Sequence, residues 1–240
     1  MRSDTTLELI SSITSATTEA ELLQKMQAVA RAIGYDQVLF GIEMRIPGGT
    51  PLQHSTSGYP MEYQELYQHR AFLTRDPTVA HCQKNAKPLV WCQRMYTQDT
   101  YEIMEESSRF GLGHGLSLPV HEAGLVLSML SLARDKPLES DEERRRVIVA
   151  GKVLAIGGQD ASENFILPGL LERGRPHLSP REQQCFQLVA LGKTNWDIGQ
   201  HLKISSETAA VHVKSVLNKL GVSTRMQAVA IGVALGMIKP

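Results

Sequence analysis

The chain has little that would support redox or metal chemistry. Its 240 residues include three cysteines, Cys82, Cys92 and Cys185, with no C-x-x-C spacing. An odd set of scattered thiols is expected to stay reduced, which suits a cytosolic setting better than a disulfide-stapled secreted fold. The histidines show no metal-ligand spacing: His114 and His121 are separated by strand, and His201 and His212 fall on different helices. Long apolar runs are missing as well. No window approaches the roughly 18 apolar residues of a membrane span. MRSDTTLELI at the start lacks the apolar stretch of a secretion signal. No serine stands in G-x-S-x-G. Gly192-Lys193-Thr194 ends like a phosphate loop, but Gln187 stands where that motif needs its first glycine. The expectation is therefore a protein without a cofactor and without a catalytic constellation, not an enzyme.

Net charge is also absent, with 25 Lys and Arg against 25 Asp and Glu. The balance hides an asymmetry. From Pro176 onward seven basic residues face three acids, a net +4, which leaves −4 for the rest. A basic end on a neutral chain suits a polyanion-binding module joined to a domain with another task, and also suits a merely solvated basic face. Hydrophobic residues make up 42% of the chain, enough for a real core. The length suggests one large domain or two small ones.

The stretch from Leu178 to Arg225 carries the strongest local signals. Ser179, Pro180 and Glu182 form a helix start: a hydroxyl cap, a proline at the first position and a carboxylate that reaches back to the cap. Cys185, Phe186, Val189 and Ala190 then recur at helical steps, and Gly192 ends that helix. Thr194, with Asp197 three residues on, begins a second, short helix. Ile204-Ser205 makes a tight turn into a third, with Ala209, Val213, Val216 and Leu220 inward and Glu207, Ala210, Val211, Lys214 and Asn218 outward. A short helix, a turn and a longer capped helix with a small, polar, basic outer face read as a helix-turn-helix.

Upstream, Thr5–Ile33 is amphipathic with helical period, broken at Thr17-Thr18 with Thr18 as a cap, and closed by Gly34. Gln37–Met44 is a strand, Pro47-Gly48-Gly49 a turn and Leu52–Thr56 a weaker strand. Helices follow from Pro60 and from Asp76-Pro77, then an extended piece at Pro88–Trp91 and a helix over Thr97–Phe110. After a break at Gly111–Gly115, Leu116–His121 and Leu125–Ala133 form a hairpin around Glu122-Ala123-Gly124. In the second strand Leu125, Leu127, Met129 and Ser131 share one face, and both faces are apolar enough to be covered. Ser140-Asp141 starts a charged helix ending near Gly157-Gly158, in which Arg144-Arg145-Arg146 reads as a solvated face. The fold class is α+β: an N-terminal α-β-α sandwich on a mostly antiparallel sheet over 1–158, an aperiodic linker at 159–176, and an all-α four-helix helix-turn-helix domain over 177–240. A sheet covered on both sides can enclose a small ligand.

Several features of the C-terminal stretch stand together in order: S-P-R-E, A-L-G-K-T at 190–194, L-K-I-S at 202–205, T-A-A-V-H at 208–212 and N-K-L-G-V at 218–222. Together they resemble the DNA-binding domain of the LuxR family of regulators. In that family a fourth helix, here Met226–Met237, makes a dimer contact. The other frequent partner of such a module, a phospho-acceptor receiver, needs an acidic pair after its first strand, where this chain has Arg45 and Pro47-Gly48-Gly49. The resemblance extends to residues 58–79, to Pro88–Trp91 and to Gly111–Val120, which look like the autoinducer-binding domain of the same family. What it implies is a small-molecule autoinducer, usually an N-acyl homoserine lactone. On that resemblance Asp76 accepts from the ligand amide N–H, Tyr67 borders the acyl chain, Trp91 packs on the lactone, Gly115 gives backbone room and Ser131 donates to the amide carbonyl. Tyr59, Thr78, Tyr96, Leu112 and Ser117 are implied lining residues. The family has a tryptophan where this chain has Tyr63, whose phenol oxygen lies along the ring axis, so a lactone is held differently or the ligand is not one. Read from the residues alone, Tyr63, Tyr67 and Phe72 at helical spacing also fit plain core, and Asp76 before Pro77 also fits a helix cap.

The expectation is a cytoplasmic, ligand-responsive transcription regulator that binds palindromic promoter DNA as a homodimer, with no membrane partner. Its alternative is an orphan regulator of the same type responding to a non-lactone molecule or to no ligand. The helix after Ser205 is expected in the major groove, with Ala210 and Lys214 near base edges and Lys193, Thr194, Thr208 and Lys219 toward phosphates.

Overall fold

The computed structural model describes residues 8, 11–46, 50–121 and 125–239. The chain divides into two compact units, one of Met1–Glu43 with Gln53–Leu167, the other of Met44–Leu52 with Pro168–Pro240.

A five-stranded antiparallel sheet organises the first unit: β1 Gln37–Met44, β2 Leu52–Ser57, β3 Leu89–Val90, β4 His114–His121 and β5 Val126–Arg134, in the order β2-β1-β5-β4-β3. The hairpin register runs from His114 opposite Arg134 to His121 opposite Leu127. Helix α1, Glu19–Ala32, starts where the Thr18 hydroxyl accepts from the Glu21 N–H at 3.2 Å. It ends at Gly34, whose φ of +90° suits a residue without a side chain. Helices α2 (Met61–His69), α3 (Pro77–Lys84) and α4 (Tyr101–Arg109) come next, and α5 (Asp141–Ser162) follows the hairpin, capped by Ser140.

The period-2 pattern of β5 divides the two layers. Leu130, Leu132 and Ser128 face α5, where the Ser128 hydroxyl donates to Gln159 Oε1 at 2.6 Å. Leu127, Met129 and Ser131 turn to the opposite side, toward residues of α2, α3 and α4. Val38, Phe40, Leu118, Leu130, Leu22, Met26 and Leu154 are fully buried, each large side chain contributing about 1.5–3 kcal/mol on burial. This is the α-β-α sandwich expected from the element order.

Several element boundaries differ from expectation. The strand His114–His121 begins inside the expected break at Gly111–Gly115, and the last helix runs Arg225–Ala234, short of Met237. Helix α5 does not stop at Gly157-Gly158 but continues to Ser162. Those glycines are contact points, not terminators: a Cβ on Gly158 would lie 2.1 Å from Met26 Cε. The stretch 159–176, expected to be aperiodic, carries the end of α5 and a further helix, α6, Leu167–Gly174. Helix α4 begins at Tyr101 and not at Thr97, because Thr97 N–H is held by the Thr100 hydroxyl at 2.8 Å in a turn. The expected turns at Pro47-Gly48-Gly49 and Glu122-Ala123-Gly124 lie outside the described residues, as do five residues of the first expected helix, including Leu7 and Ile10; of its described part, Ile13–Ser15 forms a short 3-10 turn.

The second unit contains α7 (Pro180–Ala190), α8 (Asn195–Leu202), α9 (Ser206–Lys219) and α10 (Arg225–Ala234). They pack around Cys185, Phe186, Val189, Ile198, Ala209, Val213, Val216, Ala228 and Ile238. Each start is set by a local cap. Ser179 and Glu182, Thr194 and Asp197, and Thr224 and Gln227 form reciprocal boxes, and Ser205 accepts from the Thr208 N–H at 3.1 Å.

Candidate ligand cavity and nucleic-acid interface

Between the sheet and helices α2–α4 lies a cavity of about 640 Å³. That is the size range of small-molecule sites. Of the residues implied by the resemblance, Tyr59, Tyr63, Tyr67, Asp76, Thr78, Trp91, Tyr96, Leu112 and Ser131 line it. Ser117 does not. It sits fully buried one layer back, accepting from the Trp91 indole N–H at 2.9 Å and meeting the Ser131 hydroxyl at 2.8 Å. Gly115 gives room to Trp91 itself: a Cβ there would stand 2.7 Å from the indole ring and 2.4 Å from the Leu132 carbonyl oxygen.

Asp76 does two things at once. It is 7% exposed. Its Oδ1 caps α3, accepting from the Thr78 N–H and the Thr78 hydroxyl, both at 2.7 Å. Its Oδ2 accepts from the Tyr67 hydroxyl at 2.8 Å on the cavity wall. The cap reading holds, and the same side chain also lines the cavity. Phenols surround this point. Rings of Tyr59 and Tyr63 lie 6.2 Å apart and those of Tyr63 and Tyr67 5.9 Å apart, while Tyr63 also packs on Phe110 at 5.6 Å. Burial, then the charge of Asp76, pushes the Tyr63, Tyr67 and Tyr96 hydroxyls well above the ordinary phenol range, so each stays a donor. Among the described residues, the buried Tyr59 hydroxyl has no partner in hydrogen-bond geometry. Burial raises it well above the ordinary phenol range too, opposed by the nearby Ser131 hydroxyl. A buried donor without a partner is costly, roughly 1–3 kcal/mol, unless something fills the space beside it.

Other lining residues were not singled out from the sequence. Leu39, Gly41 and Glu43 of β1, Gln53 of β2, and Cys82 and Gln83 of α3 belong to the wall. Burial pushes the Cys82 thiol up to about 12, so it is inert as a nucleophile. The alternation of β5 did place Leu127 and Met129 with Ser131. The same period in β1 was the available signal for Leu39, Gly41 and Glu43.

In the second unit, α9 leaves Val211, Lys214 and Asn218 exposed on the side away from Ala209, Val213 and Val216, with Ala210 partly exposed beside them. The turn before it is tight because Gly199 lets the backbone close: a Cβ there would lie 2.8 Å from the Ile204 carbonyl oxygen. Thr194 and Thr208 both sit at cap hydrogen bonds, Thr194 with Asp197 Oδ2 at 2.6 Å and Thr208 with the Ser205 hydroxyl at 3.1 Å. Lys219 is exposed, and its ammonium donates to Glu182 Oε2 at 2.7 Å, while Ser215 donates to Oε1 at 2.6 Å. Those donors, Lys219 first, hold the Glu182 carboxyl down to about 2.

A partly polar cavity in one unit and a four-helix helix-turn-helix module in the other are the marks of a ligand-sensing DNA-binding regulator. Residues 18–158 match the autoinducer binding domain family, and residues 176–231 match the luxR family of bacterial regulatory proteins. The chain belongs to the LuxR family of quorum-sensing transcription regulators, a family of regulators and not of enzymes. It is similar to the transcriptional activator protein SolR of Ralstonia solanacearum, at 29% identity over 93% of this chain and 94% of that protein. It is 27% identical to the quorum-sensing regulator RhlR of Pseudomonas aeruginosa over 89% of this chain and 88% of that one. In fold it matches SdiA in complex with octanoyl-rac-glycerol, with a TM-score of 0.71 at 19% identity, covering 99% of this chain and 97% of SdiA.

Proposed function

We propose that the cavity binds an N-acyl homoserine lactone, and that occupancy favours a cytoplasmic homodimer able to grip palindromic promoter DNA. The observation that carries the ligand reading is the pairing of one buried acceptor, Asp76, with convergent hydroxyl donors at one end of the cavity. An acyl amide offers one N–H and one carbonyl. Asp76 accepts the first, and the Ser131 and Tyr59 hydroxyls donate to the second, which gives the orphaned Tyr59 hydroxyl its partner. Trp91, held flat over Gly115 and fixed by Ser117, stacks on the lactone ring. The acyl chain follows Leu39, Leu127 and Met129.

A second reading, a ligand without a lactone, draws on Tyr63. Its ring is packed among Tyr59, Tyr67 and Phe110, and its hydroxyl makes no hydrogen bond in the described structure. A glycerol or similar head with more oxygens would use Tyr63 and Tyr96 together. SdiA, similar in fold, is solved with an acylglycerol.

A ligand that binds only the folded state stabilises it by RT ln(1 + [L]/Kd), about 2.7 kcal/mol at a hundredfold excess over Kd. On DNA, the α9 helix enters the major groove, Ala210 and Lys214 approach base edges, and Lys193 and the capping hydroxyls of Thr194 and Thr208 meet phosphates. Two copies are needed because one module of this size binds weakly. The deciding experiment is thermal melting of the full chain with and without acyl homoserine lactones, joined to mass spectrometry of what the purified protein retains. A raised melting temperature with one tail class supports the proposal. No shift with any lactone and no retained acyl amide refutes it.

A further inference from the structure

The cavity is polar at both ends. Glu43, on β1, lines it and is only 6% exposed. Its Oε2 accepts from Gln53 Nε2 on β2 at 2.8 Å and from Gln83 Nε2 on α3 at 2.7 Å. One carboxylate thus ties a strand, its edge neighbour and a helix at a single point of the wall.

That point lies far from the Asp76 end, by two independent measures. Gly41 faces Met129, since a Cβ on Gly41 would meet Met129 Cγ at 3.4 Å. In an antiparallel pair, Glu43 lies two residues beyond Gly41 in one direction and Ser131 two residues beyond Met129 in the other. A strand rise of about 3.3 Å per residue separates them by about 13 Å. Along α3, Asp76 caps the start and Gln83 sits near the end, seven positions later, about 10 Å at 1.5 Å per residue. Helix and strand therefore run from one polar end to the other, with aliphatic wall between.

We infer that the Gln53–Glu43–Gln83 clamp selects the tail of the ligand. It rejects a methyl terminus that reaches it and favours a terminal hydroxyl there. This rests on the reading that an acyl ligand lies with its polar head at Asp76. The physical reason is polarity. A methyl group pressed on the clamp crowds a buried carboxylate and its amides and offers no hydrogen bond in return. A hydroxyl donates one to the carboxylate, a short and strong kind.

The test is a pair of tail series on the full chain, from butanoyl to dodecanoyl, saturated or ending in a hydroxyl. Each is carried on homoserine lactone and on glycerol, with affinity read by calorimetry. Each methylene over the apolar wall tightens binding about fourfold. The next extension after contact with Glu43 weakens it about tenfold, and the terminal hydroxyl restores it at that length. In Glu43→Leu the break moves to longer saturated tails and the hydroxyl preference vanishes. Gln83→Leu, which leaves Glu43 and Gln53 in place, weakens the same preference and guards against a folding defect in the first variant. An uninterrupted gain through dodecanoyl overturns the inference, as does a break that neither variant moves. Binding of acylglycerols but not of lactones removes the lactone reading, and the tail rule is then decided on the glycerol series. Binding of neither head refutes both.

Discussion

Replacing Asp76 separates its two tasks. In Asp76→Ala, α3 loses its N-cap, about 1 kcal/mol. The buried Tyr67 hydroxyl loses its acceptor, 2.8 Å away in the native protein, which costs roughly 1–3 kcal/mol. Thr78 loses two 2.7 Å hydrogen bonds, one of them already counted in the cap. The sum is about 3 kcal/mol. For a unit of this size that lowers the melting temperature by about 6–12 °C. Asp76→Asn behaves differently. Its amide oxygen still caps α3, and its NH₂ donates to Tyr67, so most of the stability returns. What it lacks is the second acceptor for the ligand N–H. The ligand-induced rise in melting temperature should shrink accordingly, with affinity down about ten- to a hundredfold for a lost charge-assisted bond. Thermal melts of the three proteins with and without ligand provide the assay. If Asp76→Asn is as unstable as Asp76→Ala, the cap argument is wrong. If Asp76→Asn responds to ligand like the native chain, Asp76 is no ligand contact.

Gly199→Ala pushes a methyl to 2.8 Å from the Ile204 carbonyl oxygen, so the helix-turn-helix loses about 1–3 kcal/mol and DNA affinity falls with it, read by chemical denaturation and gel shift. Lys214→Ala relaxes sequence preference with stability unchanged, whereas Lys219→Ala lowers stability and leaves preference intact; the opposite pattern in selection and melting assays would reverse their roles. Glu182 carries a pH signature. Its carboxyl sits near 2 in the folded chain against an ordinary 4.5, so its stabilisation is full above 4.5 and drains away as pH falls toward 2. Glu182→Gln should flatten that part of the stability profile, and an unchanged acid limb would exclude the pair as a contributor.

The C-terminal module was legible almost residue by residue because its signals are local. Ser179 with Glu182, Thr194 with Asp197 and Ser205 with Thr208 are caps three residues apart, and a helix start depends on little else. The strands β1 and β5 were legible for the same reason, since a period of two needs only neighbours. The helix ends were not. Gly157 and Gly158 look like terminators until Ile13, Met26 and Phe40 are seen packed against them.

What the sequence determined by itself was the order of elements, the α+β class, the helix-turn-helix and the residue types able to meet a small polar head. Only the tertiary structure decided that the front unit is hollow. It also decided that Asp76 serves helix and cavity together, that Ser117 supports Trp91 from behind the wall, and that Lys219 pairs with Glu182, 37 positions away. The Glu43–Gln83 bond spans 40 positions in the same manner. Caps and periods are written within one or two turns of chain, whereas a cavity exists only where side chains distant in sequence fail to meet.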